Sequence, residues 1–227
     1  MANIVITGAA RGIALELVKL HASAGDLVYA LARDLSKADA LNALASGSGG
    51  KVSVHACDVG DDASVRAAAG QVSDSVDILY NVAGVTGTVT PELESTDWAV
   101  FDDALNIMLK GPLRVLNAFL PHLQAGSKII NISSQLAAST WPYGGFYGYV
   151  AAKAGLNRLM RSVALDLKDK GIIIGLIHPG WVQTDMGGAG ADITPVESAT
   201  GVKKLAEGWT LEHSGDFYKW NGEAHPW

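Results

Sequence analysis

The sequence predicts an α/β fold: a single Rossmann-type, doubly wound domain with about seven parallel strands flanked by helices. Three observations carry this. Short, β-branched apolar runs recur along the chain, beginning with Ile4-Val5-Ile6. Longer stretches of helical periodicity separate them. The first run enters a glycine turn that opens a helix, the context in which a glycine pattern is informative. Strands that alternate with helices build a parallel sheet with right-handed crossovers. The chain has 227 residues, 48% hydrophobic and 18% charged, enough for one large domain over 1–227.

Ile4-Val5-Ile6, closed by Thr7-Gly8, is the first strand. The stretch Thr7 to Ala14 then turns into a helix that runs through Leu15, Leu17, Val18 and Leu20 to about Ala24. Glycines in such a turn let backbone approach a pyrophosphate, and the helix N-terminus stabilises its charge. Gly25 restarts the chain into a second strand, Leu27 to Ala32, followed by Arg33-Asp34 and a helix from about Ser36 to Ala45. Ser46 to Gly50 reads as a flexible surface loop. Lys51 to Ala56 is the third strand, closed by Cys57-Asp58-Val59. Asp61 has the chemistry of an N-cap for a helix reaching about Val72. Asp77 to Tyr80 is the fourth strand, and Asn81-Val82-Ala83-Gly84 follows it.

A long helical region spans about Thr96 to Phe119, and Gly111-Pro112 should kink it because proline removes a backbone donor. Lys128 to Ile132 is the fifth strand and ends in Ser133-Ser134. After an aromatic, glycine-bearing loop over 135–146, the next helix carries Tyr149 and Lys153 to about Lys168. Ile172 to Ile177 is the sixth strand, stopped by His178-Pro179-Gly180. Pro195 to about Glu207 is helical, and the tail holds a strand-like segment near Asp216 to Tyr218. The expected strand order is 3-2-1-4-5-6-7, with a ligand at the carboxyl ends near the order reversal.

Seventeen basic against 23 acidic residues give a net charge of −6, so no basic footprint for nucleic acid is visible. Cys57 is the only cysteine, which excludes an internal disulfide and a zinc site built on cysteines. His178 has no second metal ligand nearby in sequence, and no metal is expected. No secretory pattern opens the chain and no apolar run nears 18 residues, so a soluble, cytoplasmic protein without membrane partners is expected.

Tyr149 and Lys153 are four apart and fall on one helix face. An ammonium beside a phenol favours the phenolate and lowers the tyrosine pKa, making a usable proton donor and acceptor. Tyr143 and Tyr147 also precede or open this helix, but neither has a lysine four residues on.

Together the motifs resemble the short-chain dehydrogenase/reductase family over essentially the whole chain. The marks are Thr7-Gly8-x-x-x-Gly12, Asn81-x-Ala83-Gly84, Asn106, Ser133-Ser134, Tyr149-x-x-x-Lys153, and Pro179-Gly180 followed by Thr184. Gly144 to Gly188 and the Trp-terminated tail look most like the C-factor and Sniffer-type carbonyl reductases. One departure is Ala14, where the family has its third glycine. The segment after Thr184 is also short, which implies a reduced substrate lid.

The resemblance implies a nicotinamide cofactor and an aldehyde, ketone or alcohol substrate. Tyr149 would move the proton, Lys153 would lower its pKa and bond the nicotinamide ribose, and a serine would bond the substrate oxygen. Ser133 and Ser134 should face opposite sides of the strand, and the family pattern favours Ser134. Asn106 would support a water-linked proton path to Lys153. Gly8, Arg11, Gly12 and Ile13 would line the phosphates. Asp58 and Val59 would meet the adenine, with a helix-capping role for Asp58 equally open. Asn81, Ala83 and Gly84 would pass the adenosine side, or Asn81 would join strands. Pro179, Gly180, Val182 and Thr184 would hold the nicotinamide amide.

NAD-selective enzymes place an acid at the end of the second strand; here that position is Ala32, followed by Arg33. Arg33 and Arg11 could clamp a 2′-phosphate, so NADP(H) is expected over NAD(H), which remains possible. Family members are commonly homodimers or homotetramers. Competing readings are an epimerase, dehydratase or halohydrin dehalogenase, or a dinucleotide-binding regulatory protein of the C-factor type. Lys153 and the glycine turn argue against the dehalogenase, which replaces the lysine with arginine.

Overall fold

The alternating strands close into one sheet in the computed structural model, which describes residues 1–86, 93 and 96–227. Its strands are β1 (Asn3–Thr7), β2 (Leu27–Ala32), β3 (Val52–Ala56), β4 (Ile78–Asn81), β5 (Lys128–Ile132), β6 (Ile173–His178) and β7 (Phe217–Lys219). Their order is β3-β2-β1-β4-β5-β6-β7, as the sequence implied. Every neighbouring pair is parallel; Val5, for example, lies opposite Tyr29 on β2 and Leu79 on β4.

Among the described residues, seven α-helices cover the two faces: α1 (Gly12–Ala24), α2 (Asp39–Gly47), α3 (Asp62–Ala69), α4 (Trp98–Leu105), α5 (Gly111–Phe119), α6 (Tyr147–Asp166) and α7 (Pro195–Gly208). Side chains alternate along a strand, so β1 feeds two cores. Ile4 and Ile6 pack with Leu17 and Val18 of α1, Leu41 of α2 and Val202 of α7. Val5 packs with Val65 of α3, Ala104 of α4, Val115 of α5 and Leu156 of α6. Strands buried on both faces need the near-continuous apolar runs seen in the sequence.

Local chemistry sets the helix ends. The Asp61 carboxylate accepts the Ser64 N–H at 2.6 Å and starts α3. Thr194 and Glu197 form a capping box on α7. Gly25 ends α1 in the left-handed region, at φ 91°. The helix expected over Ser36 to Ala45 is split, because Asp34 caps a separate 3₁₀ turn, Leu35–Lys37, ahead of α2. The expected break at Gly111-Pro112 takes the form of a π-turn, Asn106–Lys110, just before it. Pro112 has no N–H for the carbonyl four residues back, and the Gly111 N–H reaches the widened turn's Asn106 carbonyl. Among the described residues, no helix is long and apolar enough to cross a membrane.

Candidate active site

The strand order reverses between β1 and β4, and the turn after β1 touches the loop after β4. Gly8 sits at φ 71°, and a Cβ there would lie 2.8 Å from the Ala83 Cα. Only glycine satisfies both the angle and the distance. Thr7 locks the junction: its hydroxyl donates to the Tyr80 carbonyl and accepts the Val82 and Ala83 N–H groups, at 3.3, 3.0 and 3.2 Å. Helix α1 opens at Arg11 with no side-chain cap and no acid in its first turn. Uncapped N–H groups beside a glycine cradle fit an anionic pyrophosphate. Ile13 is half-buried here. Ala14 is 1% exposed and packs into the core under α1, so the third-glycine departure is absorbed without opening the turn. The Arg11 guanidinium lies on the surface, 2.7 Å from the Asp185 carboxylate.

Beyond the turn, Arg33 is exposed. Asp34 is committed elsewhere: it accepts from the Ser36 N–H and hydroxyl at 3.0 and 2.6 Å and pairs with Lys37 at 3.4 Å. Its partners are thus Ser36 and Lys37, not Arg33. Asp58 accepts the Gly60 N–H at 2.8 Å, a tight turn ahead of α3 rather than the cap of that helix. Arg114 holds this turn: it donates to the Val59 carbonyl at 3.2 Å and to the Asn106 Oδ1 at 2.7 Å, and pairs with Asp62 at 3.0 Å.

Asn106 completes that brace, donating from Nδ2 to the Gly60 carbonyl at 3.1 Å. Both ends of its carboxamide are engaged there, and its own carbonyl takes Arg114 at 3.1 Å. The π-turn that begins at Asn106 thus aims its carboxamide at the Val59–Gly60 turn. Asn81 does join strands, donating to Asn131 Oδ1 at 3.0 Å, while its own Oδ1 is buried without a partner. Gly84 lies beside Met108.

At the end of β5 the two serines part as alternation requires. Ser133 donates to Asn157 Oδ1 at 2.6 Å beneath α6. The Ser134 hydroxyl accepts the Leu136 N–H at 3.2 Å and lies near enough to Tyr149 to oppose part of its pKa rise. Lys153 is 5% exposed; its Nζ donates to the Ile132 carbonyl at 2.7 Å and lies 5.8 Å from the Tyr149 ring centroid. Tyr143, by contrast, is 72% exposed.

Burial raises the Tyr149 pKa, and the Ser134 contact offsets part of that. Burial also lowers the Lys153 pKa, to about 8. The net shift of the phenol is therefore upward, not downward as the Tyr149–Lys153 pair alone predicts. Both groups are withdrawn from water, and desolvation disfavours the charged form of each. Tyr149 is held as an acid through the neutral range.

The loop after β6 closes the other side. Gly180 adopts φ 89°, and a Cβ there would lie 2.5 Å from Ile193 and 3.0 Å from the Trp220 indole nitrogen. The Pro179 carbonyl accepts the Ser198 hydroxyl at 2.6 Å, and Val182 bridges Ile193. Thr184 carries the loop back to the glycine turn, its methyl 3.3 Å from a Cβ built on Gly12. The glycine turn thus meets the Gly180–Thr184 loop at Gly12, and the Ser134–Tyr149–Lys153 cluster follows β5 at the same carboxyl end of the parallel sheet. Sequence reasoning missed Arg114, and it offered no partner for His178. The His178 Nδ1 accepts the Gln135 N–H at 3.1 Å, directly after Ser134.

Comparison with known proteins gives the same picture. A family model described as short chain dehydrogenase matches residues 2–192. C-signal of Myxococcus xanthus is 41% identical over 157 residues, covering 67% of this chain and 93% of that protein. The NADPH-bound carbonyl reductase from chicken fatty liver superposes with a TM-score of 0.92 at 30% identity, over 100% of this chain and 99% of that one. Carbonyl reductase Sniffer of D. melanogaster gives 0.93 at 25%, with both chains fully covered.

Proposed function

The chain belongs to the short chain dehydrogenase family of NAD(P)-dependent oxidoreductases, and on that premise we propose that it transfers a hydride between NADP(H) and a small carbonyl or alcohol. The observation that carries this reading is the Ser134–Tyr149–Lys153 cluster, a serine beside the phenol and a buried amine 5.8 Å from the centre of its ring. A nicotinamide cofactor supplies the hydride when bound. Ser134 orients the substrate oxygen and stabilises charge developing on it. Tyr149 donates its proton to that oxygen in reduction and takes it back in oxidation. Lys153, protonated below about pH 8, stabilises the phenolate left after transfer and holds the ribose.

The glycine turn, with Gly8, Arg11, Gly12 and Ile13, takes the phosphates. Asp58, Val59, Asn81, Ala83 and Gly84 flank the adenosine, and Pro179, Gly180, Val182 and Thr184 hold the nicotinamide amide. Arg33, free of Asp34, supports a 2′-phosphate and so NADP(H), the cofactor of the chicken enzyme. Arg11 joins it by releasing Asp185. We read residues 1–227 as one domain, acting in the cytoplasm as a homodimer or homotetramer. The likeness to C-signal favours one second reading, a dinucleotide-binding regulatory protein. Consumption of NADPH and NADH with a panel of aldehydes and ketones separates them. Turnover of at least one carbonyl with NADPH is expected; tight NADPH binding without turnover of any would favour the second reading.

A further inference from the structure

The residues after β7 form a short return that no step above uses. Ala224 bridges Tyr218, and the His225 N–H donates to the Phe217 carbonyl at 2.8 Å. The His225 ring lies on Phe217 at 4.5 Å and edge-on to His178 at 5.4 Å. The Trp227 ring sits 5.1 Å from the Arg161 guanidinium of α6 and 6.1 Å from Phe217. Its backbone oxygen accepts both the N–H and the hydroxyl of Ser139, at 3.0 and 2.9 Å.

Ser139 belongs to the loop over 135–146, whose two ends are Ser134 and the helix carrying Tyr149. The loop needs outside support. Phe146, just before α6, is the only non-glycine residue at positive φ among the described residues, at 55°. Such a conformation is unfavourable for a bulky side chain and persists only where surrounding structure imposes it. His178 holds the first residue of the loop and Trp227 its middle, and the two anchors are linked through His225 and Phe217.

We propose that the Ala224–Trp227 return is a clamp on this loop, and that Trp227 is a positioning residue for the carbonyl substrate. This rests on the hydride-transfer reading of the site. The clamp reaches the substrate side of the site and leaves the glycine turn untouched, so it should act on substrate binding and not on cofactor binding.

The test compares Trp227→Ala, Trp227→Phe and Arg161→Leu in the full chain. Amide hydrogen exchange is read over 135–146, together with NADPH binding by fluorescence and KM for 4-nitrobenzaldehyde. In Trp227→Ala, exchange over 135–146 should rise by about tenfold or more while β1 and α1 keep wild-type protection. The KM should rise about tenfold with kcat within threefold, since an undocked loop reduces the binding-competent fraction. The NADPH affinity should not change. Trp227→Phe keeps an aromatic face for Arg161 and should restore most of the effect; Arg161→Leu should show a weaker version of it. Wild-type exchange over 135–146 in Trp227→Ala, or an equal rise throughout the chain, would overturn the clamp. Exchange needs no turnover, so this outcome is separable from failure of the hydride-transfer reading.

Discussion

Acid should destabilise the fold through His178. This side chain is 7% exposed at the end of β6, and its Nδ1 accepts the Gln135 N–H, so the hydrogen resides on Nε2. Burial pushes its pKa from 6.5 down to about 3, and the neighbouring His225 and Lys219 push the same way. Between those two values the unfolded chain binds a proton that the folded chain refuses. The unfolded state binds more protons there, so stability rises with pH and is lost as pH falls below 6.5. One pKa unit corresponds to 1.36 kcal/mol, so at pH 5 the loss from this residue alone is about 2 kcal/mol. Urea denaturation at pH 7 and pH 5 measures it. His178→Asn offers Gln135 an acceptor near the same place and does not titrate. Its stability should fall between the two pH values by about 2 kcal/mol less than wild type. Buried His21 and Asp26, both with lowered pKa values, leave a residual acid slope of the same sign in both proteins. Identical pH dependence of wild type and His178→Asn would refute the argument.

Three further outcomes follow from the site. Arg33→Ala should cut selectivity for NADPH over NADH by about ten- to a hundredfold, the loss of one charged hydrogen bond; unchanged selectivity would remove Arg33 from cofactor choice. Asp185→Asn frees Arg11 from its surface ion pair and should tighten NADPH binding by about two- to fivefold, an effect that titration at low salt would detect. For carbonyl reduction, kcat/KM should decline as pH rises through about 8, where Lys153 loses its proton. Both Tyr149 and Lys153 must be protonated in that direction, so the loss is on the alkaline side; a profile rising through pH 8 would contradict these roles.

The sheet was legible because parallel strands buried on both faces demand near-continuous apolar runs, and β1 and β2 carry them beside clear glycine boundaries. That Ser133 and Ser134 face opposite ways was legible from strand alternation, while the choice of Ser134 rested on the family pattern. The π-turn that opens at Asn106 was not legible, because no residue pattern announces where a helical ladder widens. The pKa of Tyr149 was misjudged for a different reason. Spacing on a helix shows which groups are neighbours, but not how much water reaches them, and here desolvation outweighs the pair. Arg114 was overlooked, and the partner of His178 unread, because each acts across long separations, on Val59 and on Gln135. Such contacts are tertiary and leave no local signal.

Tyr149→Phe in single-turnover reduction at saturating NADPH tests the central claim most directly. The substitution removes one hydroxyl beside Ser134 and leaves the ring under α6, so circular dichroism and NADPH affinity should match wild type. The rate should fall by about 10²–10⁴, the usual contribution of a general acid. A folded Tyr149→Phe protein that keeps most of its rate, or a Tyr147→Phe protein that loses it, would contradict the assignment.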